Sequence, residues 1–307
     1  MHEVTLSDAV YGAVAYSDIF SYPLTIDELL YFLPWHAGIT RLEVLRSIKT
    51  LGLTYHDGFV TLVKKSNFVP LRRKRDKEAN TKWNIVHSMV WIFRYIPTIR
   101  LVAVTGALSM NNVNKDDDID LLIVTEGKSV WVTRFLLTLI FDVLGIRRKP
   151  HDRIVSNLFC LNMYLSVDAL EIPFPKRNLY IAHELAQMIP VFDRNHTYNL
   201  FCRKNLWVKR VLPNVWKNNQ RKKIMHHERF NFLHEILKQS IFFCIRFIDL
   251  FFMYFQRIYM NSRRTREIVE RESIQFHPVD ANDWVYKKLA IRLRRKRIPL
   301  DKIFFTR

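Results

Sequence analysis

The alternation of apolar and polar positions divides the chain into blocks. From about residue 7 to Phe20, small and apolar side chains recur at helical spacing, and Ser7 or Asp8 is placed to cap that helix. Pro23 breaks it. Thr25 caps a second short helix through Phe32, with Asp27 and Glu28 in its first turn. Thr40 caps a third through about Thr50, which Gly52 ends. Leu53 to Leu62 then reads as two short strands around an Asp57-Gly58 turn. Residues 66–98 read as a connector helix, charged at Leu71 to Arg75 and apolar from Trp83 to Ile92, with Ile85, Met89 and Ile92 on one face and Pro97 at its end. Leu101 to Val104 and Asp118 to Val124 are apolar runs of strand length. Val130 to Leu144 predicts a helix stopped by Gly145, about Asn157 to Leu165 a strand, and Asn178 to Met188 a packing helix that contains His183 and Glu184. Residues 197–307 predict helices only, the longest from Phe230 to Met260. The pattern gives an α+β chain: a central mixed sheet with helices at 99–196, a small domain before it at 1–65, and an all-helical domain after it at 197–307.

Helix, helix, helix, hairpin is the order of a winged-helix domain, which residues 1–65 resemble. That resemblance implies DNA contact, and the charge weighs against it. The chain carries 48 Lys+Arg against 29 Asp+Glu, a net +19, but residues 1–63 are at −4 and residues 203–307 at +16. Phosphate attraction supplies most non-specific affinity for DNA, and a negative segment lacks it. Residues 1–63 therefore read first as a surface for a protein partner and second as a nucleic-acid contact. The basic run from Arg292 to Arg297, with Lys287 and Lys288 before it, reads either as a solvated face or as a contact for RNA or DNA phosphates.

Chemistry concentrates in one place. The run Leu101 to Val104 exits through Thr105-Gly106-Ala107, with Ser109 close behind, and the run from Asp118 is entered through Asp116 and Asp117. Asp118 and Asp120 stand two apart, so on a strand both carboxylates point to one face. Such a pair repels itself, and a divalent cation resolves the conflict; Mg²⁺ accepts a few carboxylates and completes its shell with water and phosphate oxygens.

This arrangement resembles the nucleotidyltransferases of DNA polymerase β type, and among them the minimal nucleotidyltransferases. The family pattern is an apolar residue, Gly and a small residue, then about ten residues, then Asp-apolar-Asp-apolar. Here Val104-Thr105-Gly106-Ala107 is followed by the ten residues 108–117 and by Asp118-Ile119-Asp120-Leu121. The resemblance implies that Thr105, Gly106, Ala107 and Ser109 contact a nucleoside triphosphate and that Asp118 and Asp120 hold Mg²⁺, in a two-metal arrangement. It also implies transfer of a nucleoside monophosphate to a hydroxyl, with pyrophosphate released. Two departures stand out. Ala107 replaces the usual Ser, and the strand at 157–165 lacks the third carboxylate, with Asn162 in its middle. Asp168 or Glu171, just beyond that strand, is then the candidate for the remaining catalytic role. The alternative is a nucleotidyltransferase-like chain of weak or no activity that binds nucleic acid or a protein partner.

Other classes are excluded or disfavoured. Three widely separated cysteines build neither a disulfide framework nor a Cys-x-x-Cys pair. No P-loop, dinucleotide fingerprint or Gly-x-Ser-x-Gly occurs. The start has no signal-peptide pattern, and the most apolar stretch, Ile241 to Phe255, is short and contains Arg246 and Asp249, which predicts a buried helix, no membrane partner and a cytoplasmic protein. Phe276-His277-Pro278 reads as an anchor, with His277 in a local hydrogen bond, and Arg147-Arg148-Lys149 reads either as a contact for substrate phosphates or as a solvated loop.

Overall fold

A computed structural model describes residues 4–36, 38–62, 67–149, 152–216, 226–228, 232–261, 268–275 and 280–300. Phe276-His277-Pro278 lies outside them. The chain starts with α1 (Leu6–Ile19), β1 (Leu24–Thr25), α2 (Ile26–Tyr31), α3 (Arg41–Leu51), β2 (Thr54–His56) and β3 (Phe59–Thr61). Thr25 with Glu28 and Thr40 with Glu43 close reciprocal capping boxes on α2 and α3, and Gly52 ends α3 in the left-handed conformation. On α1 the cap is Thr5, which accepts from the Asp8 amide, two or three residues earlier than Ser7 or Asp8 would give; Asp8 is the box's third helical residue instead. The strands pair in the order β1-β3-β2.

The connector is one helix, α4 (Phe68–Arg94). Its buried positions are Arg72, Ala79, Lys82, Val86, Val90, Ile92 and Phe93, so the inner face is rotated from Ile85 and Met89, which are only partly covered. Then follow β4 (Ile99–Val104), α5 (Gly106–Ser109), β5 (Ile119–Thr125), α6 (Val130–Val143), β6 (Phe159–Ser166), α7 (Leu179–Gln187), β7 (Ile189–Arg194), α8 (Thr197–Lys204), α9 (Val208–Val211), β8 (His226–Glu228), α10 (Phe232–Asn261), β9 (Ile268–Val269), β10 (Ser273–Gln275) and α11 (Asp280–Arg294).

Seven strands form the central sheet in the order β8-β7-β4-β5-β6-β10-β9. β4 runs antiparallel to both β5 and β7, whereas β5 and β6 are parallel. The expectation of an all-helical region from 197 onward is corrected here: β8, β9 and β10 come from it and extend both edges of the sheet. The chain is α+β.

Alternation along the strands splits the interior in two. Val102, Val104, Leu121 and Ile123 face α4 and α6. Leu101, Ala103, Leu122 and Val124 face α7 and α11, and the same buried cluster continues without a break into Val10, Val14, Leu29 and Ile48. The N-terminal helices are thus built onto one face of the sheet. Tyr31 Oη donates to the Ala186 carbonyl of α7 (3.0 Å), and Arg292 of α11 pairs with Asp18 of α1 (2.9 Å).

No helix among the described residues is long and apolar enough to cross a membrane. The reading of 241–255 as a buried helix does not hold for all of its residues: Phe247, Phe251, Tyr254 and Phe255 of α10 are each more than half exposed, and the helix covers α6 with its opposite side, where Phe252 stacks on Phe135.

One buried cation ties this framework together. Arg194, at the end of β7, is 2% exposed and donates to the carbonyls of Arg94, Ile96, Pro97 and Ile99, at 2.7–3.1 Å. It thereby joins the end of α4 to the start of β4. Arg194→Met would leave those carbonyls without their donor, and we expect a loss of about 3 kcal/mol in urea unfolding, with Arg194→Lys recovering only part of it.

Candidate functional site

The turn after β4 brings the motif residues together. The Thr105 amide donates to the Asp120 carbonyl (3.0 Å), stitching the turn to β5. Gly106 has φ +61°, and a Cβ there would lie 2.7 Å from Asp120 Oδ2. Both the conformation and the space therefore demand glycine. Ala107 and Gly106 border a cleft described below. Ser109 is turned inward: it is 7% exposed and its hydroxyl donates to the Gly106 carbonyl (2.7 Å). It braces the turn, so its assignment as a phosphate contact is corrected.

Asp120 lies on β5 with the parity of Leu122 and Val124, toward α7. Asp118 comes just before the strand. The two carboxylates and Cys160 of β6 offer ligand atoms that all lie within 4.8 Å of one another. Parallel pairing sets Cys160 opposite Asp120. Burial first, and then the charge of Asp118, push the Asp120 carboxyl up to about 7. Burial and the same two carboxylates push the Cys160 thiol up. Arg148 pairs with Asp118 at 2.6 Å. Beneath the loop leading to Asp118, the buried Lys82 ammonium donates to the carbonyls of Lys115 and Asp117 and to Asn157 Oδ1.

Two carboxylate oxygens and a thiol are a donor set that could hold one divalent cation. A thiolate favours Mn²⁺ or Zn²⁺ more than Mg²⁺, which prefers oxygen alone. Among the described residues no further carboxylate joins the group.

Asp168 is not part of it. β5 and β6 run parallel from the Asp120–Cys160 pair to the Thr125–Ser166 pair, and Asp168 lies in the turn beyond Ser166. That is about 20 Å of strand away. There it packs against Gly127, and its amide donates to Ser166 Oγ (3.1 Å). The catalytic assignment of Asp168 is corrected on this geometry. Glu171 is paired with Arg177 (2.6 Å).

Other residues enter that the pattern left in a packing helix. Glu184 of α7 feels the charge of Asp120, and the Gly106 amide hydrogen-bonds to its carboxylate. Burial, then Asp120, push Glu184 up to about 7. His183 beside it is 5% exposed, and burial holds it neutral, at about 3. Helical periodicity marks both as inward-facing positions and gives no sign of the turn they meet. Cys160 was hidden in the same way, as one apolar residue in an apolar run.

Comparison with protein-family models, with curated proteins and with solved structures yields no match.

The two raised carboxyls have a measurable consequence. Between pH 8 and 5, folded Asp120 and Glu184 take up protons that ordinary carboxyls in the unfolded chain do not bind. Protons bound preferentially by the folded state stabilise it, and that contribution is lost as pH rises through about 7. The thermal midpoint should rise as pH falls from 8 to 5, with a gain on the order of 2 kcal/mol. Asp120→Asn should flatten that slope.

Proposed function

We propose that the chain is a divalent-metal-dependent nucleotidyltransferase. The observation that carries this reading is the contact between the Gly106 turn and Asp120: a glycine made obligatory by a carboxylate sets the turn after β4 directly against the paired-carboxylate group. In this reading Asp118 and Asp120 hold the cation, with Cys160 as a further ligand. Thr105, Gly106 and Ala107 border the triphosphate. The bound metal supplies charge neutralisation at the reacting phosphate. Arg148 is the nearest cation, about one-third exposed, and its guanidinium suits a phosphate once released from Asp118. A hydroxyl oxygen of the acceptor bonds to the α-phosphorus, the bond to the bridging oxygen breaks, pyrophosphate leaves, and the hydroxyl proton passes to solvent.

RNA or DNA is the acceptor class that the charge favours. Arg294, Arg295, Lys296 and Arg297 are exposed beside α11, although Arg292 of the same run is committed to Asp18. A protein partner remains the proposal for the net-negative residues 1–63, and Mg²⁺, including a two-ion arrangement, is the oxygen-only alternative to a softer single ion.

A second reading, a nucleotide-binding protein with little or no transfer activity, draws on Cys160. It occupies the place opposite Asp120 where a proton-accepting carboxylate would serve the acceptor hydroxyl.

Incubation with Mg²⁺ or Mn²⁺ and α-labelled nucleoside triphosphates separates these. With RNA, DNA or protein added as acceptor, movement of the α-label onto the acceptor together with pyrophosphate release supports transfer, metal-dependent binding without either supports the second reading, and no binding under any condition overturns both. The double variant Asp118→Asn, Asp120→Asn should lower metal-dependent nucleotide affinity by about 100-fold or more. Cys160→Ser should weaken Mn²⁺ binding by about tenfold and change Mg²⁺ binding little, as followed by calorimetry.

A further inference from the structure

Gly106 and Ala107 also form one edge of a cleft of about 220 Å³ between the N-terminal helices and α7. Its volume suits one planar heterocycle with part of a sugar, and excludes a nucleic-acid duplex. Its walls include the aromatic rings of Tyr16, Phe20 and Phe32 from the N-terminal segment. Tyr16 and Phe32 are each 5% exposed and stack on His183 (3.8 and 5.2 Å), so the half-buried Phe20 is the ring best placed to meet a flat ligand.

Identity is read by the polar groups at the α7 side. His183 lines the cleft, nearly fully buried, with its ring stacked on Tyr16 at 3.8 Å and 11°. Its Nε2 is buried and has no hydrogen-bond partner. Such an atom is costly unless something satisfies it, and this one borders a space that a ligand can enter. Gln187 Nε2 donates to Glu184 Oε1 (2.6 Å), and Glu184 also accepts from the Tyr180 hydroxyl and the Gly106 amide, which leaves the Gln187 carbonyl as the acceptor on that edge. That carbonyl favours a ring that carries an amino group.

We propose that this cleft is a nucleobase subsite, half built by the N-terminal helices, that favours bases with an exocyclic amine (adenine, cytosine, guanine) over uracil. The proposal rests on the reading of the Gly106 turn as the triphosphate site. It gives the N-terminal segment a task within the nucleotide site itself, in walling the base.

Calorimetric titration of the full chain with Mn²⁺ and, in turn, inorganic tripolyphosphate, ATP, CTP, GTP and UTP tests it. ATP, CTP and GTP should bind more tightly than tripolyphosphate by on the order of tenfold or more, with UTP nearest to tripolyphosphate. Met110→Trp, which fills the cleft from the end of α5, should bring the amine-bearing nucleotides down to the tripolyphosphate value. Should that variant fail to fold, Gln187→Leu should shrink the advantage of ATP, CTP and GTP over UTP. If tripolyphosphate binds and no nucleotide binds better, the subsite is overturned while the phosphate site stands. If all four nucleotides gain equally over tripolyphosphate, the amine preference is overturned. If neither tripolyphosphate nor any nucleotide binds, the triphosphate reading fails and the subsite falls with it.

Discussion

Lys82 reaches from α4 to the underside of the 115–118 loop with its side chain fully buried, and the acidic corner of the molecule depends on that contact. Asp116, Asp117, Asp118 and Asp120 place four carboxylates within five residues at the mouth of a buried strand. Unopposed, they would drive the loop outward and unpair the start of β5. The ammonium holds two loop carbonyls and Asn157, so it fixes the backbone while it supplies positive charge from below. Burial pushes Lys82 down, and the neighbouring carboxylates, Asp117 first, oppose that shift. Arg148 balances Asp118 from the β6 side. The corner is thus neutralised from two directions while Asp120, on the inner side, faces Cys160, the glycine turn and Glu184.

The second constraint is the fusion of the N-terminal segment with the sheet. Its apolar residues and those of β4, β5, α7 and α11 belong to one cluster. Specific bonds reinforce the seam. Asn112, just after α5, accepts from Arg75 of α4 (2.8 Å) and donates to the Phe20 carbonyl (3.2 Å). The turn that carries Gly106 is therefore braced by the N-terminal helices as well as by its own strand, which links the position of the candidate site to residues 80 or more positions earlier.

Local signals in the sequence translated well where a few residues decide the outcome. Thr25, Thr40, Gly52 and the Asp57-Gly58 turn each fix a boundary through hydrogen bonds or φ, and the strands at 101–104 and 118–124 carry their apolar character openly. β7 was missed because Pro190, Asp193 and Arg194 break its apolar run, and its charges are buried for reasons that only the fold supplies. β9 and β10, two and three residues long, are too short to show a period. Within the candidate site, Asp118, Asp120 and Gly106 were legible because one short motif holds them. Asp168 misled because nearness in sequence to β6 gave no hint of which end of the strand it occupies. Cys160, His183 and Glu184 come from other elements and look like core residues until the sheet and α7 are in place.

The contact between α1 and α11 bears on how the chain is made. Tyr11 Oη donates to the carbonyl of Arg292, 281 residues later, and Arg292 pairs with Asp18. Helix α1 therefore waits for α11 while the 260 residues between them are made, with the side that α11 covers still open. The central strands β4, β5, β6 and β7 lie within about one hundred residues of each other and can pair long before that. The order of emergence lets the central strands pair before α11 covers α1, and in that interval the open side of α1 is a surface that a holding chaperone can grip.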